Sequence, residues 1–199
     1  MRDYIIMTDS CCDLSQQEVE ELELTVLPLS FTIEGKTLLN TPDHADMSPE
    51  EFFAKIAAGA DCTTAAANVG QFTDAMEKVL QESKDILCVC FSSALSTTYQ
   101  SACIAAEDLR EKYPEAKILV IDSLSASRGQ GMLLYRAVRE RREKNLTIDE
   151  LDAYVRSIIQ SQCHWFIVDD LNHLKRGGRV SSTAALVGTM LGIKPVMHT

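Results

Sequence analysis

The chain has 199 residues, of which 46% are hydrophobic and 24% charged, as in ordinary globular proteins. Its 29 acidic and 19 basic residues give a formal net charge of -10. This charge argues against nucleic acid or an anionic membrane surface as the main partner. The N-terminus lacks the apolar core and cleavage site of a signal peptide, and no apolar run approaches the roughly 20 residues that cross a bilayer. We therefore expect a cytoplasmic protein without stable membrane insertion.

The first half of the chain alternates apolar runs with helical patterns. Tyr4–Thr8 predicts a buried strand, and a short amphipathic helix follows from Asp13 to about Leu22. Leu24–Ile33 is a second extended run, broken at Pro28 and ended by a turn signal at residues 34–36. A capping box with proline at the first helical position begins at Ser48. The other elements predicted here are helices over Glu50–Ala58 and Gly70–Glu82 and a strand over Asp85–Phe91.

The second half repeats this alternation. It predicts helices over Thr98–Lys112, Ser127–Lys144 and from Thr147 onward, with a strand over Lys117–Ile121. Strands alternating with helices indicate an α/β fold with a mainly parallel sheet and helices on both faces. After about residue 160 the pattern changes to a strand over His164–Val168, a polar segment and a short helix over Ser182–Leu191. We expect residues 1–160 to form one α/β domain and residues 161–199 to begin a second α/β domain that continues beyond Thr199.

Two hydroxyl-rich turns follow apolar strands. One is Thr8-Asp9-Ser10, and the other runs from Ser92-Ser93 through Ser96 to Thr98. Ligands of α/β folds bind at the carboxyl ends of strands, and helix N-termini favour anionic groups. Single serines at such places are most often helix caps, but the cluster indicates a site for a carboxylate or a phosphate. Asp9 is interpreted as an N-cap or turn-orienting group, because aspartyl-phosphate chemistry wants a second aspartate two residues on, where this chain has Cys11.

The seven cysteines and four histidines do not indicate a metal site. No CxxC pair is present, and the histidines have no metal-ligand spacing. Cys88 and Cys90 alternate within an apolar strand, as small buried side chains do. A low-pKa thiol at Cys11 or Cys12 has no supporting base nearby in the sequence. We therefore expect no metal, and structural roles for most of the thiols.

Two enzyme classes remain as alternatives. A serine hydrolase or another enzyme of small acids would use the Ser92-Ser93/Ser96 turn, but Ser93 lacks the flanking glycines of a nucleophile elbow. A nucleotide-dependent enzyme would need a glycine-rich phosphate loop after the first strand, and residues 8–12 contain no glycine.

Five short segments carry a recognisable pattern, in chain order: Thr8-Asp9-Ser10, residues 91–102, Ile121-Asp122-Ser123, Gly129-Gln130-Gly131 and residues 174–180. Together they resemble the DegV family of bacterial fatty-acid-binding proteins. The resemblance covers the whole chain, and the serine-rich and Lys-Arg-Gly-Gly-Arg segments are its most specific parts. It implies a long-chain fatty acid as bound ligand, with no further cofactor, buried between two α/β domains. In several systems such a protein is the lipid-carrying subunit of a fatty acid kinase, so the resemblance implies that kinase as partner and no catalytic residue in this chain.

The same resemblance implies roles for particular residues. Thr64 and Ser96 would contact the head group, with Thr63 and Ser93 beside them. Arg176 would join the carboxylate network. Arg179 would dock the kinase on the surface.

The chain departs from the family's pattern at two places. It has Ala65-Ala66 where the family usually has Ser-Gln after the threonine pair, which is expected to alter the head-group network or chain-length preference. Thr97 replaces a preferred glycine, so the serine turn must do without a positive φ there or be shifted.

Overall fold

The computed structural model describes residues 2–168, 171–180 and 196–198, without the side chains of His173, Met197 and His198. The chain divides into two compact units, Met1–Gln162 and Cys163–Thr199. The first unit begins with β1 (Tyr4–Asp9), a 3-10 turn (Ser10–Cys12), α1 (Gln16–Glu21), β2 (Leu24–Leu27), β3 (Leu29–Ile33), β4 (Lys36–Asn40), α2 (Pro49–Ala57) and β5 (Cys62–Ala65). It continues with α3 (Val69–Gln81), β6 (Asp85–Cys90), α4 (Thr98–Lys112), β7 (Ile118–Asp122), α5 (Ser127–Lys144) and α6 (Ile148–Ile159).

The main sheet of the first unit is parallel and has the strand order β2-β1-β6-β7. Successive side chains of a strand point to opposite faces, and β6 shows this alternation directly. Ile86, Cys88 and Cys90 pack into the core with α3 and α4, whereas Leu87 and Val89 pack into the core with α1, α5 and α6. The predicted parallel sheet with helices on both faces is therefore confirmed.

A second sheet, which the sequence analysis did not predict, is antiparallel and has the order β4-β3-β5. The predicted extended run from residue 24 to 33 is two strands, and the chain passes from one sheet to the other at Pro28, which lacks a backbone N–H for a ladder. β3 returns as β4 through Glu34 and Gly35. Both have positive φ, 51° and 75°, as a tight two-residue hairpin turn requires.

The described part of the second unit comprises β8 (Trp165–Ile167), α7 (Leu171–Arg176) and β9 (Val196–His198). β8 and β9 pair antiparallel, with Trp165 opposite His198. Helix α7 falls in the polar segment for which no element was predicted. The helix predicted over Ser182–Leu191 lies outside the described residues.

Candidate functional site

The two hydroxyl-rich turns meet at the carboxyl end of the parallel sheet, where the central strands β1 and β6 end. From β1 the chain adds β2 on one side, and β6 and β7 lie on the other side. The adjacent ends of β1 and β6 therefore form a topological switch point, where open α/β sheets bind ligands. A hydrogen bond of 2.7 Å from the Phe91 backbone N–H to Asp9 Oδ2 joins the two turns directly.

The serine turn, residues 91–97, leads into α4. Ser93 is exposed and Ser96 is half-buried, while Ser92 and Thr98 are buried. The Ser96 and Thr98 hydroxyl oxygens lie 2.9 Å apart, and Ser96 Oγ also accepts from the Thr98 backbone N–H at 3.2 Å. Two hydroxyls are thus linked at the first residue of a 15-residue helix.

Helix α4 is not capped by the side chain of its own N-cap residue. Its N-cap residue Thr97 makes no capping hydrogen bond, whereas Ser15, Asn68 and Thr147 cap their helices through their side chains. A helix start with free backbone N–H groups attracts anions. Thr97 has φ -80°, so the turn does without the positive φ that a glycine would permit, which is one of the two expected outcomes.

Three consecutive backbone N–H groups fasten the serine turn to the sheet. Phe91 donates to Asp9, Ser92 donates to the Ser125 carbonyl at 3.0 Å, and Ser93 donates to Asp122 Oδ1 at 3.1 Å. The acceptors lie at the ends of two strands, β1 and β7, and in the segment that follows β7. The backbone of the turn is therefore held on both sides before any ligand binds.

Asp9 caps the 3-10 turn, as the sequence analysis predicted. Its Oδ1 accepts from the Cys11 N–H at 3.0 Å. Burial raises the pKa of the Asp9 carboxyl, and the hydrogen bonds from Phe91 and Cys11 oppose that rise. Burial also raises the pKa of the Cys11 thiol, and it raises the pKa of Cys12 to about 11. These two thiols are therefore not activated nucleophiles.

Thr63 and Thr64 lie exposed on the edge strand β5. Thr63 is paired with Thr32 of β3, and Thr64 with Phe31. Since paired residues of an antiparallel ladder share a face and neighbours alternate, the two threonines present their hydroxyls to opposite faces of this sheet. A ligand group on one face of this sheet can therefore contact the hydroxyl of Thr63 or that of Thr64, but not both.

Arg176 and Arg179 lie in the second unit. Both are exposed and flank a glycine pair, in which Gly178 has φ +77°. This positive φ is one that glycine adopts readily, because it has no Cβ. The Arg179 guanidinium donates to the Gly177 carbonyl.

A cavity of about 450 Å³ lies in the first unit beside α2. Phe31, Phe52 and Phe53 line it together with Ser10 and Arg128. The described lining includes neither Thr64 nor Ser96. Phe31, however, is paired with Thr64, so the two side chains lie on the same face of the antiparallel sheet.

Two residues that form hydrogen bonds within this site were given no role in it from the sequence, Asp122 and Gln130. Asp122 and Gln130 stood in motifs that resemble the family, but their partners lie far away in sequence, so no local signal assigned them a contact. Within the described ranges, no group of three or more His, Cys, Asp or Glu side chains is placed to hold a metal ion. The described helices include none that is both long and apolar enough to cross a membrane.

These features define an α/β protein with a hydroxyl-rich site at the switch point of a parallel sheet. The model of the DegV family, described as uncharacterised proteins, matches residues 4–199. A DegV domain-containing protein of Clostridium perfringens is 39% identical over 198 residues, which cover 100% of this chain and 67% of that protein. One from Lactococcus lactis is 40% identical over 194 residues and matches 98% of this chain and 66% of its own length. The chain belongs to the DegV family.

Solved structures agree with this fold. A stearic-acid-binding protein from Eubacterium ventriosum superposes with a TM-score of 0.87 at 28% identity, covering 98% of this chain and 66% of the other. A fatty-acid-binding DegV family protein from Thermus thermophilus gives 0.81 at 31% identity, covering 100% and 68%. The chain thus spans about two thirds of the length of these relatives.

Proposed function

We propose that this chain binds a long-chain fatty acid and holds its carboxylate with side-chain hydroxyls. The observation that carries the proposal is the serine turn: Ser93 and Ser96 lie at the switch point of the sheet, beside the start of α4, whose N-cap residue Thr97 makes no capping hydrogen bond. The similarity to a stearic-acid-binding protein and to a fatty-acid-binding DegV protein supports the ligand class. Thr64 and Ser96 are the proposed main contacts, with Ser93 and Arg176 as further ones; Thr63, on the opposite face of β5, would contact the carboxylate only in place of Thr64.

The acyl tail and the carboxylate of the ligand contribute differently to the free energy of binding. Burial of each methylene contributes about 0.8 kcal/mol, so a long chain supplies on the order of 10 kcal/mol before ordering costs. Each hydrogen bond to the charged head group adds about 1.5–3 kcal/mol. The tail therefore provides most of the affinity, and the hydroxyls decide where the acid group lies.

We further propose that the protein is not itself an enzyme and presents the carboxylate to a separate fatty acid kinase in the cytoplasm. Neutral hydroxyl donors leave the carboxylate oxygens nucleophilic, as transfer of a phosphoryl group to them requires. Arg179 is the proposed contact with the kinase, because it is exposed next to a glycine turn of positive φ. A serine hydrolase, in contrast, would react with a fluorophosphonate probe, and we expect no such labelling.

The first test is mass spectrometry of an organic extract from the intact purified protein. A stoichiometric long-chain fatty acid is expected, and an empty extract from folded protein would overturn the proposal. Thr64→Val and Ser96→Ala should each lower acyl phosphate formation with the kinase. Thr37→Val, an exposed threonine of the same antiparallel sheet, and Ser101→Ala, within α4, are matched controls that should leave it unchanged.

A further inference from the structure

One buried carboxylate connects the segments that build the serine turn. Asp9 has no exposed surface, and its two oxygens accept from backbone N–H groups of different turns, Cys11 at 3.0 Å and Phe91 at 2.7 Å. The second of these bonds spans 82 residues of sequence. The path of the chain into the serine turn is therefore set by a side chain of β1.

A third segment reaches the same carboxylate. Gln130 of α5 is fully buried, and its Nε2 donates to Asp9 Oδ1 at 3.3 Å and to Thr8 Oγ1 at 3.0 Å. Thr8 in turn donates its hydroxyl to the Val89 carbonyl at 2.8 Å. The three side chains of this chain of bonds are buried, so water cannot readily replace a lost partner.

The Asp9 carboxylate can accept hydrogen bonds in a way that an amide of the same shape cannot. An ionised carboxylate accepts at both oxygens, whereas an asparagine amide accepts at one and donates at the other. With asparagine at position 9, one of the two backbone N–H groups would face an N–H donor. Either the 3-10 turn or the entry to the serine turn would then lose its fixed position.

We propose that Asp9 is a positioning residue of the head-group site: through the Phe91 N–H it holds the serine turn where Ser93 and Ser96 meet the ligand's carboxylate. The inference rests on the proposed function and deepens it. Asp9 does not touch the ligand in this scheme. Its effect is confined to the end of the ligand that the turn binds, and the acyl tail is bound elsewhere.

The test compares palmitic acid with 1-hexadecanol, which has the same tail and no carboxylate, in native mass spectrometry of the intact protein. Asp9→Asn should weaken palmitic acid binding by about tenfold or more, the equivalent of one charged head-group hydrogen bond. Hexadecanol binding should change by less than about twofold, because its affinity comes from the tail. Asp43→Asn is the matched control, since Asp43 accepts from the Ala45 N–H in an exposed loop and should leave both ligands unaffected.

The outcomes separate the positioning role from the proposed function. If the unmutated protein does not prefer the acid over the alcohol, the proposed function itself fails. If it prefers the acid and Asp9→Asn keeps that preference, or weakens both ligands equally, only the positioning role is overturned. Should Asp9→Asn not fold, Asp9→Ser tests the same role, because a serine can still cap the 3-10 turn but offers one side-chain oxygen where the carboxylate uses two, one for Cys11 and one for Phe91. It should weaken the acid selectively, and an unchanged preference would refute the role.

Discussion

Gly131 offers a direct test of how closely α5 approaches the first hydroxyl-rich turn. A methyl group at this position would lie 2.8 Å from the Cys12 carbonyl oxygen and 2.9 Å from Leu14 Cδ2. Overpacking of this kind costs about 1–3 kcal/mol. The cost should fall in the upper part of that range, because the nearer atom is backbone of a turn that Asp9 caps. Alanine also gains about 1 kcal/mol of helix propensity over glycine.

The net expectation for Gly131→Ala is a loss of about 1–2 kcal/mol in the free energy of unfolding, measured by urea denaturation at constant m-value. Gly70→Ala in α3 is the control, because its added methyl group would meet only the exposed Asn68 side chain, at 3.3 Å. That variant should be neutral or slightly more stable. If Gly131→Ala were as stable as the control, the close approach of α5 to the turn would be refuted.

Three further predictions concern hydroxyl orientation, pH and thiol reactivity. Thr98→Val removes the hydroxyl that lies 2.9 Å from Ser96 Oγ. It should weaken fatty acid binding by about tenfold and leave the binding of a fatty alcohol nearly unchanged. An equal loss of affinity for both ligands would contradict a role of Thr98 in orienting Ser96. Hydrogen bonds from an arginine and from its helix cap lower the pKa of Glu18 to about 2. The stabilisation that ionised Glu18 provides is therefore fully present above its unfolded pKa of about 4.3, and it is lost as the pH falls toward 2. Because Glu18 and Arg128 form an exposed pair, Glu18→Gln should lower the free energy of unfolding by less than about 1 kcal/mol at neutral pH. Urea titrations at decreasing pH should show this difference vanish between about pH 4.3 and 2. At pH 8 a thiol reagent should modify exposed Cys163 well before Cys12, whose pKa burial raises to about 11; equal rates by peptide mass mapping would show that the first turn opens.

The elements that the sequence predicted well are those with a strong local pattern. In α3, Phe72, Met76 and Leu80 recur at helical spacing, and all three are buried. Asp9 was interpreted as an N-cap or turn-orienting group because Cys11 stands where aspartyl-phosphate chemistry wants a second aspartate, and it caps the 3-10 turn. Such signals depend on residues within one or two turns of each other, so the sequence alone contains them.

The antiparallel sheet was missed because its signals are short and shared with loops. β5 has four residues, and its threonines suit a strand only when β3 is available to pair with them. The Glu34-Gly35 turn was predicted, but the returning strand β4 was not, since Lys36–Asn40 is short and its two leucines are adjacent, without the alternation typical of a strand. Pairing with a partner decided both strands.

The sequence by itself determined which segments become the strands and helices of the parallel sheet, and it located both hydroxyl-rich turns at strand ends. Only the tertiary structure decided that these turns touch, that Asp9 holds Phe91 across 82 residues, and that Thr63 and Thr64 face opposite ways. The reason is physical: periodicity and capping are local properties of the chain. The contacts that shape the site form only when strand order brings distant backbone groups within hydrogen-bonding distance.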